Sequence, residues 1–146
     1  PGAAIEVPRA LILRRALLAG GAARERDGLL TFANGEAVVW EYQLPVDLSR
    51  FSVEELRFDL AGFLSGPQAS APLASFGPAY LYDWQRADWF AFDLDFGENR
   101  LSEPWRYVSP LGVVRFRYVF RAPSSPAGAT TATFHAFDLV VRGRGR

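Results

Sequence analysis

The sequence has no cysteine, no methionine and no lysine, and its only histidine is His135. Without cysteine the chain cannot form a disulfide framework, a thiolate metal site or a cysteine nucleophile, and the redox compartment stays open. Because there is no initiator methionine, we expect the chain to be a processed product or an excised domain. The lack of a signal peptide therefore carries no information about secretion.

An excess of charge of one sign is also absent. The 16 basic residues, all of them arginine, balance 16 acidic residues, so the formal net charge is zero. This composition favours neither a nucleic-acid partner nor binding to an anionic membrane surface. No run of about 18 apolar residues occurs, and we expect no membrane insertion by this segment.

Catalytic motifs are missing as well. The sequence has no G-x-S-x-G elbow, no H-E-x-x-H and no glycine-rich phosphate loop. His135 lies in an alternating run, where a sheet-face histidine with a local partner is the ordinary interpretation. Asp83, Asp88, Asp93 and Asp95 cluster in sequence, but a glycosidase needs two opposed carboxylates, and Asp93 and Asp95 fall on the outward phase of a strand. We predict that the domain is not an enzyme.

Apolar and aromatic side chains are abundant. Hydrophobic residues make up 49% and aromatic residues 14% of the 146 residues, enough to bury one core. We predict a single domain over residues 1–146, with a core at about 10–143 and flexible loops at 65–78 and 121–130. We also expect flexible ends, because the arginine–glycine tail from 142 to 146 has no apolar residue to hold it.

Strict alternation of apolar and polar residues marks the clearest strands. In the run 113–120 the apolar face carries Val114, Phe116, Tyr118 and Phe120. In the run 54–64 the apolar face carries Leu56, Phe58 and Leu60. Both runs predict half-buried strands, and we expect the first to be central in its sheet.

Turn signals join other predicted strands into hairpins. Asn34-Gly35, at which both residues tolerate positive φ, predicts a hairpin between strands at 29–32 and 36–44. A second hairpin is predicted at 79–94, with residues 85–88 as its four-residue connection.

The remaining segments have less regular apolar patterns. In the stretch 9–19, leucines including Leu18 could form a short amphipathic helix, but without an N-cap we interpret the stretch as a first strand. Residues 46–53 are typical of a connecting loop or a single helical turn, and 131–141 forms the last strand. About eight or nine short strands without a long helix predict an all-β fold, an antiparallel β-sandwich.

Five segments resemble the galactose-binding-like, discoidin-type jelly roll. They are GLLTFANGE (28–36), SVEELRFDLAG (52–62), LYDWQRADWFAFDL (81–94), RYVSPLGVVRFR (106–117) and FDLVVRG (137–143). More narrowly, the chain is similar to the non-catalytic β-sandwich modules of large bacterial secreted or membrane-anchored proteins. The resemblance implies a jelly-roll sandwich at an extracellular or cell-surface location. Members of this fold bind sugars, lipids or proteins through loops at one end.

The resemblance also implies a structural Ca²⁺, which many members of the fold carry. Ca²⁺ takes several oxygen ligands from carboxylates and loop carbonyls. Candidate ligands that the fold could bring together are Glu6, Asp27, Glu98, Asn99 and Asp138. Of these we select Glu6, Asp27 and Asp138 as the predicted metal ligands.

Aromatic residues near two connections suggest a carbohydrate site, because a sugar ring stacks on an aromatic face while a few polar groups fix its hydroxyls. The predicted ligand-binding residues are Tyr82, Trp84, Trp89, Trp105, Arg106 and Tyr107. Trp84 and Trp89 could pair across their hairpin. The alternative is that these aromatics only cover one end of the core.

The sequence allows two roles for the outward arginines of the run 113–120. Arg115 and Arg117 could pair with Glu55 or Asp59 on a neighbouring strand. Surface ion pairs of this kind contribute about 0–1 kcal/mol. Alternatively, the two arginines could line a concave sheet face.

Together these features predict a non-catalytic extracellular module of a larger bacterial protein that binds carbohydrate through loop aromatics. The alternative is a structural or assembly module that packs against other domains of the same parent protein or against identical subunits. Tryptophan exposure separates the two, because a stacking platform keeps at least two rings accessible at one end, whereas a spacer buries or covers them.

Overall fold

Antiparallel strands make up nearly all the regular structure of residues 3–17 and 23–146, the residues that the computed structural model describes. The strands are β1 (Ile5–Glu6), β2 (Leu13–Ala16), β3 (Arg24–Arg26), β4 (Leu29–Phe32), β5 (Ala37–Gln43), β6 (Phe51–Ser65), β7 (Ala79–Asp83), β8 (Asp88–Phe92), β9 (Gly97–Arg100), β10 (Val113–Val119) and β11 (Thr131–Gly145). Short 3₁₀ helices lie at Arg9–Leu11, Leu73–Phe76 and Pro104–Tyr107. No helix in these residues is long and apolar enough to cross a membrane.

The strands form two sheets that pack face to face. Sheet A has the order β3-β4-β11-β6-β9, with β1 also paired to β11, and sheet B has the order β2-β5-β10-β7-β8. The prediction of an all-β antiparallel sandwich is confirmed. Because the chain crosses repeatedly between the sheets from β4 to β11, the strand order is compatible with a jelly roll.

The core lies between the two sheets, with Phe116 of β10 at its centre. The Phe116 ring is fully buried, and its centroid lies 5.1 Å from that of Phe58 on β6 and 5.1 Å from that of Phe137 on β11. Trp40 of β5 stacks on the same ring at 5.9 Å. The predicted inward faces of 54–64 and 113–120 are confirmed, since the apolar residues named for them are buried.

The Asn34-Gly35 turn forms, but it connects the two sheets instead of two neighbouring strands. β4 pairs with β3 and β11, whereas β5 pairs with β2 and β10. Asn34 Oδ1 accepts a hydrogen bond from the Ala122 amide at 3.0 Å, and the Gly35 amide donates to the Phe120 carbonyl at 2.7 Å. The predicted hairpin is therefore wrong, because these two residues fix the turn to the segment that follows β10.

The stretch 9–19 forms a shorter strand than predicted. The 3₁₀ helix Arg9–Leu11 comes first, and β2 then pairs with β5 from Leu13 to Ala16. Leu18 and Ala19 lie outside the described residues. Leu13 is exposed because β2 is an edge strand of sheet B.

Both long loops are tied to the core and to each other. In loop 65–78, Leu73 and Phe76 are buried, and in loop 121–130, Ala122 is fully buried. The Gln68 amide donates a hydrogen bond to Thr130 Oγ1 at 3.1 Å, which joins the two loops. Together they cover the end of the sandwich at which β6 ends and β11 begins.

The arginine–glycine tail, which was predicted to be flexible for lack of apolar residues, continues β11 as far as Gly145. Gly143 pairs with Val53 and Gly145 with Phe51, at the start of β6. The backbone ladder holds the tail, and no apolar side chain is needed there. β6 accordingly begins at Phe51, inside the stretch predicted as a loop or helical turn.

Two β-bulges shift the phase of the β6–β11 pairing. His135 is an extra residue in β11, and Glu54 is an extra residue in β6. As a result, Phe134 and Phe137 both contact the core while His135 is exposed. Strict alternation over this run would place His135 and Phe137 on one face, and the bulge separates them.

We expect Gly143→Ala to lower the free energy of unfolding by about 2 kcal/mol or more, as overpacking against backbone does. An added Cβ at Gly143 would overlap the Ser52 carbonyl oxygen and the Phe51 ring. Gly145→Ala is the matched control, because its Cβ would meet only the Arg50 carbonyl oxygen, at 3.9 Å. The control should stay within about 0.5 kcal/mol of wild type in urea unfolding. Equal stability of the two variants would contradict the pairing of the tail with β6.

Candidate functional site

A groove of about 670 Å³ opens at the end of the sandwich where β6 begins and β11 ends. The β5–β6 loop with the first residues of β6, the β7–β8 turn, and the segment between β9 and β10 form its walls. We call it the end groove. The side chains considered below are Asp47, Ser49, Ser52, Trp84, Gln85 and Trp105.

Trp84 enters the end groove from the β7–β8 turn, which Asp83 organises. The buried Asp83 carboxylate accepts hydrogen bonds from the backbone amides of Gln85 at 2.9 Å and Arg86 at 3.1 Å. The Trp84 amide donates to the Arg106 carbonyl at 2.9 Å. The backbone that carries the indole is therefore fixed on both sides, and the ring is half-buried.

Trp105 lines the end groove from the 3₁₀ helix Pro104–Tyr107. Pro104 and Tyr107 are buried and anchor this helix, with the Tyr107 ring 5.5 Å from that of Phe90 on β8. Burial raises the pKa of the Tyr107 hydroxyl. Trp105, between the two anchors, is 52% exposed, the largest exposure among the tryptophans.

Tyr82, Trp84 and Trp89 form a cluster on the outer face of sheet B, which we call the aromatic cluster. Tyr82 lies directly opposite Trp89 in the β7–β8 ladder, and their centroids are 5.5 Å apart. Tyr82 also contacts Trp84 edge to face at 4.7 Å. The predicted pairing of Trp84 with Trp89 is wrong, because Trp84 lies beyond the end of β7 and Tyr82 stands between the two indoles.

Arg115 of β10 connects the aromatic cluster with an ion pair. Its Nη2 and Nε donate to Glu41 Oε2 at 2.6 and 2.8 Å, and Arg15 Nη2 donates to Glu41 Oε1 at 2.7 Å. Hydrogen bonding to Arg115 holds the pKa of Glu41 below its ordinary value. The Arg115 guanidinium carbon lies 5.0 Å from the Trp84 ring centroid and 5.4 Å from that of Tyr82, within cation–π range.

The predicted pairing of Arg115 and Arg117 with Glu55 or Asp59 is wrong. These arginines lie in sheet B, whereas β6 with its carboxylates lies in sheet A. Asp59 instead accepts Arg57 Nε at 2.7 Å, and Glu55 lies 3.6 Å from Arg57 Nη1. Hydrogen bonding to Arg57 holds the pKa of Asp59 below its ordinary value.

Polar side chains also line the end groove, from the β5–β6 loop, the start of β6, the β7–β8 turn and Arg146. Asp47 Oδ1 accepts hydrogen bonds from the amide and the hydroxyl of Ser49, at 2.9 and 2.7 Å, and the hydroxyl bond lowers the pKa of Asp47. Arg146 Nε donates to the Leu48 carbonyl at 2.9 Å. Within the described residues, the Gln85 amide group and the Ser52 hydroxyl make no hydrogen bond, so both are free to meet a ligand.

The six predicted ligand-binding residues do not all lie in one site. Trp84 and Trp105 come together in the end groove, and Tyr82 and Trp89 adjoin them on the outer face of sheet B. Arg106 is engaged by Glu103 at 3.1 Å and by Asp83 at 3.4 Å. Tyr107 is buried and serves as an anchor.

Sequence reasoning missed the polar residues of the end groove and the contact of Arg115 with the Trp84 ring. Asp47 and Gln85 come from loops and Ser52 from the start of β6, segments that only the topology brings together, and no motif marked them. Arg115 was noticed for its alternation, which correctly placed it outward. Its position beside Trp84 depends on the pairing of β10 with β7, and the sequence pattern does not contain that pairing.

The three predicted metal ligands do not form one site, because Glu6 and Asp138 both contact the guanidinium of Arg9 and Asp27 is elsewhere. Glu6 lies 3.2 Å from Arg9 and 3.4 Å from Arg142, and Asp138 lies 3.7 Å from Arg9. Asp27 stands apart, in the β3–β4 turn. Within residues 3–17 and 23–146, no group of three or more acidic or histidine side chains is arranged to hold a metal ion.

The other acidic and amide candidates have structural contacts. Asp95 Oδ1 accepts hydrogen bonds from the Leu73 and Phe96 amides at 3.1 and 3.0 Å. The predicted outward position of Asp95 on a strand is therefore wrong, because β8 ends at Phe92. Asn99 Oδ1 accepts from the Asp95 amide at 2.9 Å.

The fold and the end groove define this chain as an all-β sandwich domain with a recessed surface at one end. A family model described as Domain of unknown function (DUF8815) matches residues 16–139. The chain belongs to this family. A comparison with curated proteins found no match. A comparison with solved structures also found none.

We expect Asp83→Ala to lower the free energy of unfolding by about 1–2 kcal/mol, because two backbone amides of the turn lose their acceptor. Asp88→Ala is the matched control, since Asp88 is directly opposite Asp83 in the ladder but is exposed. The control should cost less than about 0.5 kcal/mol. Chemical denaturation of both variants tests the prediction, and equal effects would contradict the role of Asp83 in holding the turn.

Proposed function

We propose that this domain is a non-catalytic module that binds carbohydrate in the end groove. The observation that carries the proposal is that two indoles from separate connections, Trp84 and Trp105, line one groove. Its volume, about 670 Å³, lies within the range of roughly 300–1,000 Å³ usual for small-molecule sites. Indole faces offer a sugar ring an apolar stacking surface.

The polar side chains of the groove favour a glycan without net charge. Gln85 and Ser52 can both donate and accept hydrogen bonds, as sugar hydroxyls require. The carboxylate of Asp47 and the guanidinium of Arg146 balance in charge, so neither sign of ligand is selected strongly. This mixture of an apolar wall and a few unengaged polar groups is the usual composition of a sugar site.

The wider setting is also part of the proposal. The two-sheet antiparallel sandwich, compatible with a jelly roll, supports a galactose-binding-like module. The chain is similar to modules of that type in larger bacterial proteins that are secreted or anchored at the cell surface, and we propose the same extracellular setting for this domain. A structural Ca²⁺ is not part of the proposal, because Glu6 and Asp138 pair with Arg9 and Asp27 lies apart from both.

We expect Trp84→Ala and Trp105→Ala each to weaken glycan binding about tenfold or more, since loss of a stacked ring costs about 1.4 kcal/mol or more. Binding is measured by calorimetry with soluble cello-, xylo- and manno-oligosaccharides and with galactan. Trp89→Ala is the matched control, because Trp89 does not line the groove, and it should lose less than about threefold. Iodide quenching of Trp105 should also fall when glycan is bound.

Two results would overturn this function. One is the absence of binding to every glycan tested, with tryptophan fluorescence indifferent to added sugar. The other is binding that Trp84→Ala and Trp105→Ala leave as tight as wild type, which would place the glycan elsewhere.

The second candidate function is assembly, and the β8 edge favours it. Among the residues that the structure describes, β8 has a strand neighbour on one side only, and its sequence, D-W-F-A-F, contains no lysine or proline that would guard a free edge. Phe90, in the middle of β8, is 41% exposed. An apolar edge of this kind can pair with a strand of another chain.

If assembly is the function, the molar mass of the domain rises with concentration in size-exclusion chromatography with light scattering. We expect Ala91→Lys to abolish this rise, because a charge on the exposed β8 edge opposes pairing. Ala61→Lys, at an exposed position inside the β6 ladder, is the control and should still associate. A wild-type protein that stays monomeric at every concentration would exclude assembly through β8.

A further inference from the structure

The geometry points to the Glu41–Arg115 ion pair as a positioning element that holds the Trp84 indole in place as the inner wall of the end groove. Neither residue lines the contact surface for a sugar, so both act through Trp84. The inference rests on the proposed function where glycan affinity is measured. Its central claim, the orientation of one indole, can be tested on the free domain.

The Trp84 side chain has no hydrogen bond to fix it. Its Nε1 is buried and lacks a partner within the described residues. The backbone of the turn fixes only the base of the side chain, so its two side-chain torsions depend on packing and on nearby charge. The Trp84 indole contacts the Tyr82 ring edge to face at 4.7 Å, and the Arg115 guanidinium carbon lies 5.0 Å from its centroid.

Arg115 can act as a support because Glu41 holds it in turn. The Arg115 guanidinium donates through two nitrogens to one oxygen of Glu41, while Arg15 takes the other oxygen. The Glu41 side chain is only 15% exposed, so solvent screens this pair less than it screens a surface pair. A carboxylate held on both sides fixes the guanidinium over the rings.

Strand register places these groups in one row across sheet B. Arg15 of β2 is opposite Glu41 of β5, and Glu41 is opposite Arg115 of β10. Arg115 then reaches the Tyr82 and Trp84 rings, at the end of β7. The row therefore runs across sheet B from β2, at one edge, to the wall of the end groove.

Arg117 provides a matched comparison within the same strand. It lies two residues from Arg115 on the same face, and its guanidinium carbon is 5.6 Å from the ring centroid of Tyr80. Tyr80 does not line the end groove. Removing Arg117 thus removes a cation from a ring of the same sheet face without touching Trp84.

The test compares Glu41→Gln, Arg115→Met and Arg117→Met in the free domain, using iodide quenching and near-UV circular dichroism. We expect the first two variants to increase iodide quenching and to reduce the near-UV tryptophan signal, while far-UV spectra stay native. Arg117→Met should match wild type. Arg115→Lys replaces Arg115→Met if the methionine variant does not fold.

Glu41→Gln and Arg115→Met are then each combined with Trp84→Leu in double variants. If the ion pair acts on Trp84, Glu41→Gln has no further effect on quenching or on the near-UV signal in this background. The inference is overturned if Glu41→Gln and Arg115→Met leave both signals as in wild type. It is equally overturned if the changes persist undiminished when Trp84 is leucine.

Affinity gives a second readout that separates this inference from the proposed function. With the tightest-binding oligosaccharide of the calorimetric panel, Glu41→Gln should bind about two- to fivefold more weakly, as expected for loss of an exposed cation–π contact. A wild-type domain that binds no glycan refutes the proposed function but leaves the spectroscopic test decisive. Normal affinity together with altered Trp84 spectra would refute the effect on binding alone.

Discussion

The pairing of β6 with β11 is the constraint on which the rest of the structure depends. Each strand is 15 residues long, and they are paired from Thr131 with Ser65 to Gly145 with Phe51. In sheet A, β1 and β4 pair with β11, β9 pairs with β6, and β3 adds outside β4, while sheet B packs on the inner face. Because the two strands run the full length of the sandwich, one end of the pair lies under the loops 65–78 and 121–130. The other end lies beneath the end groove.

Bulges in that pair explain both the success and the failure of sequence reasoning about the fold. Alternation identified the inward residues Leu56, Phe58 and Leu60 correctly, because period two holds on one side of a bulge. Beyond the extra residue Glu54 the phase reverses, so that Phe51 and Val53 are also buried, and the pattern there no longer resembled a strand. A one-residue insertion moves every later side chain to the opposite face, and the amino-acid pattern alone does not mark where it falls.

Local turn chemistry was likewise informative about position but not about partners. Asn34-Gly35 was correctly placed at a turn, yet the two strands it joins lie in different sheets. The hairpin predicted at 79–94 did form, although its four-residue connection is 84–87 instead of 85–88, because Asp88 already pairs with Asp83. Both turns have suitable residues, so the difference lies in which strands offer a complementary buried face. Such long-range matching depends on the whole fold.

The same limit applies to the candidate site. The aromatic residues were predicted because sugar rings stack on aromatic faces near connections, and Trp84 and Trp105 do line one groove. Tyr107 has the same chemistry two residues from Trp105, but the 3₁₀ helix Pro104–Tyr107 turns it inward. The backbone therefore decides which side chain of a single helical turn is exposed, whereas the residue type only identifies candidates.

The two outer sheet faces use arginine in opposite ways, and this difference bears on the proposed location of the ligand. On sheet A the buried Arg57 is enclosed by the carboxylates of Glu55, Asp59 and Glu98, so that face is closed by mutual charge pairing. On sheet B the guanidinium of Arg115 rests over aromatic rings as well as on Glu41. Rings that are partly exposed and held by charge present an apolar surface of fixed shape, which ion pairs cannot. The end groove takes one wall from that second face, and stacking is therefore expected there and not on sheet A.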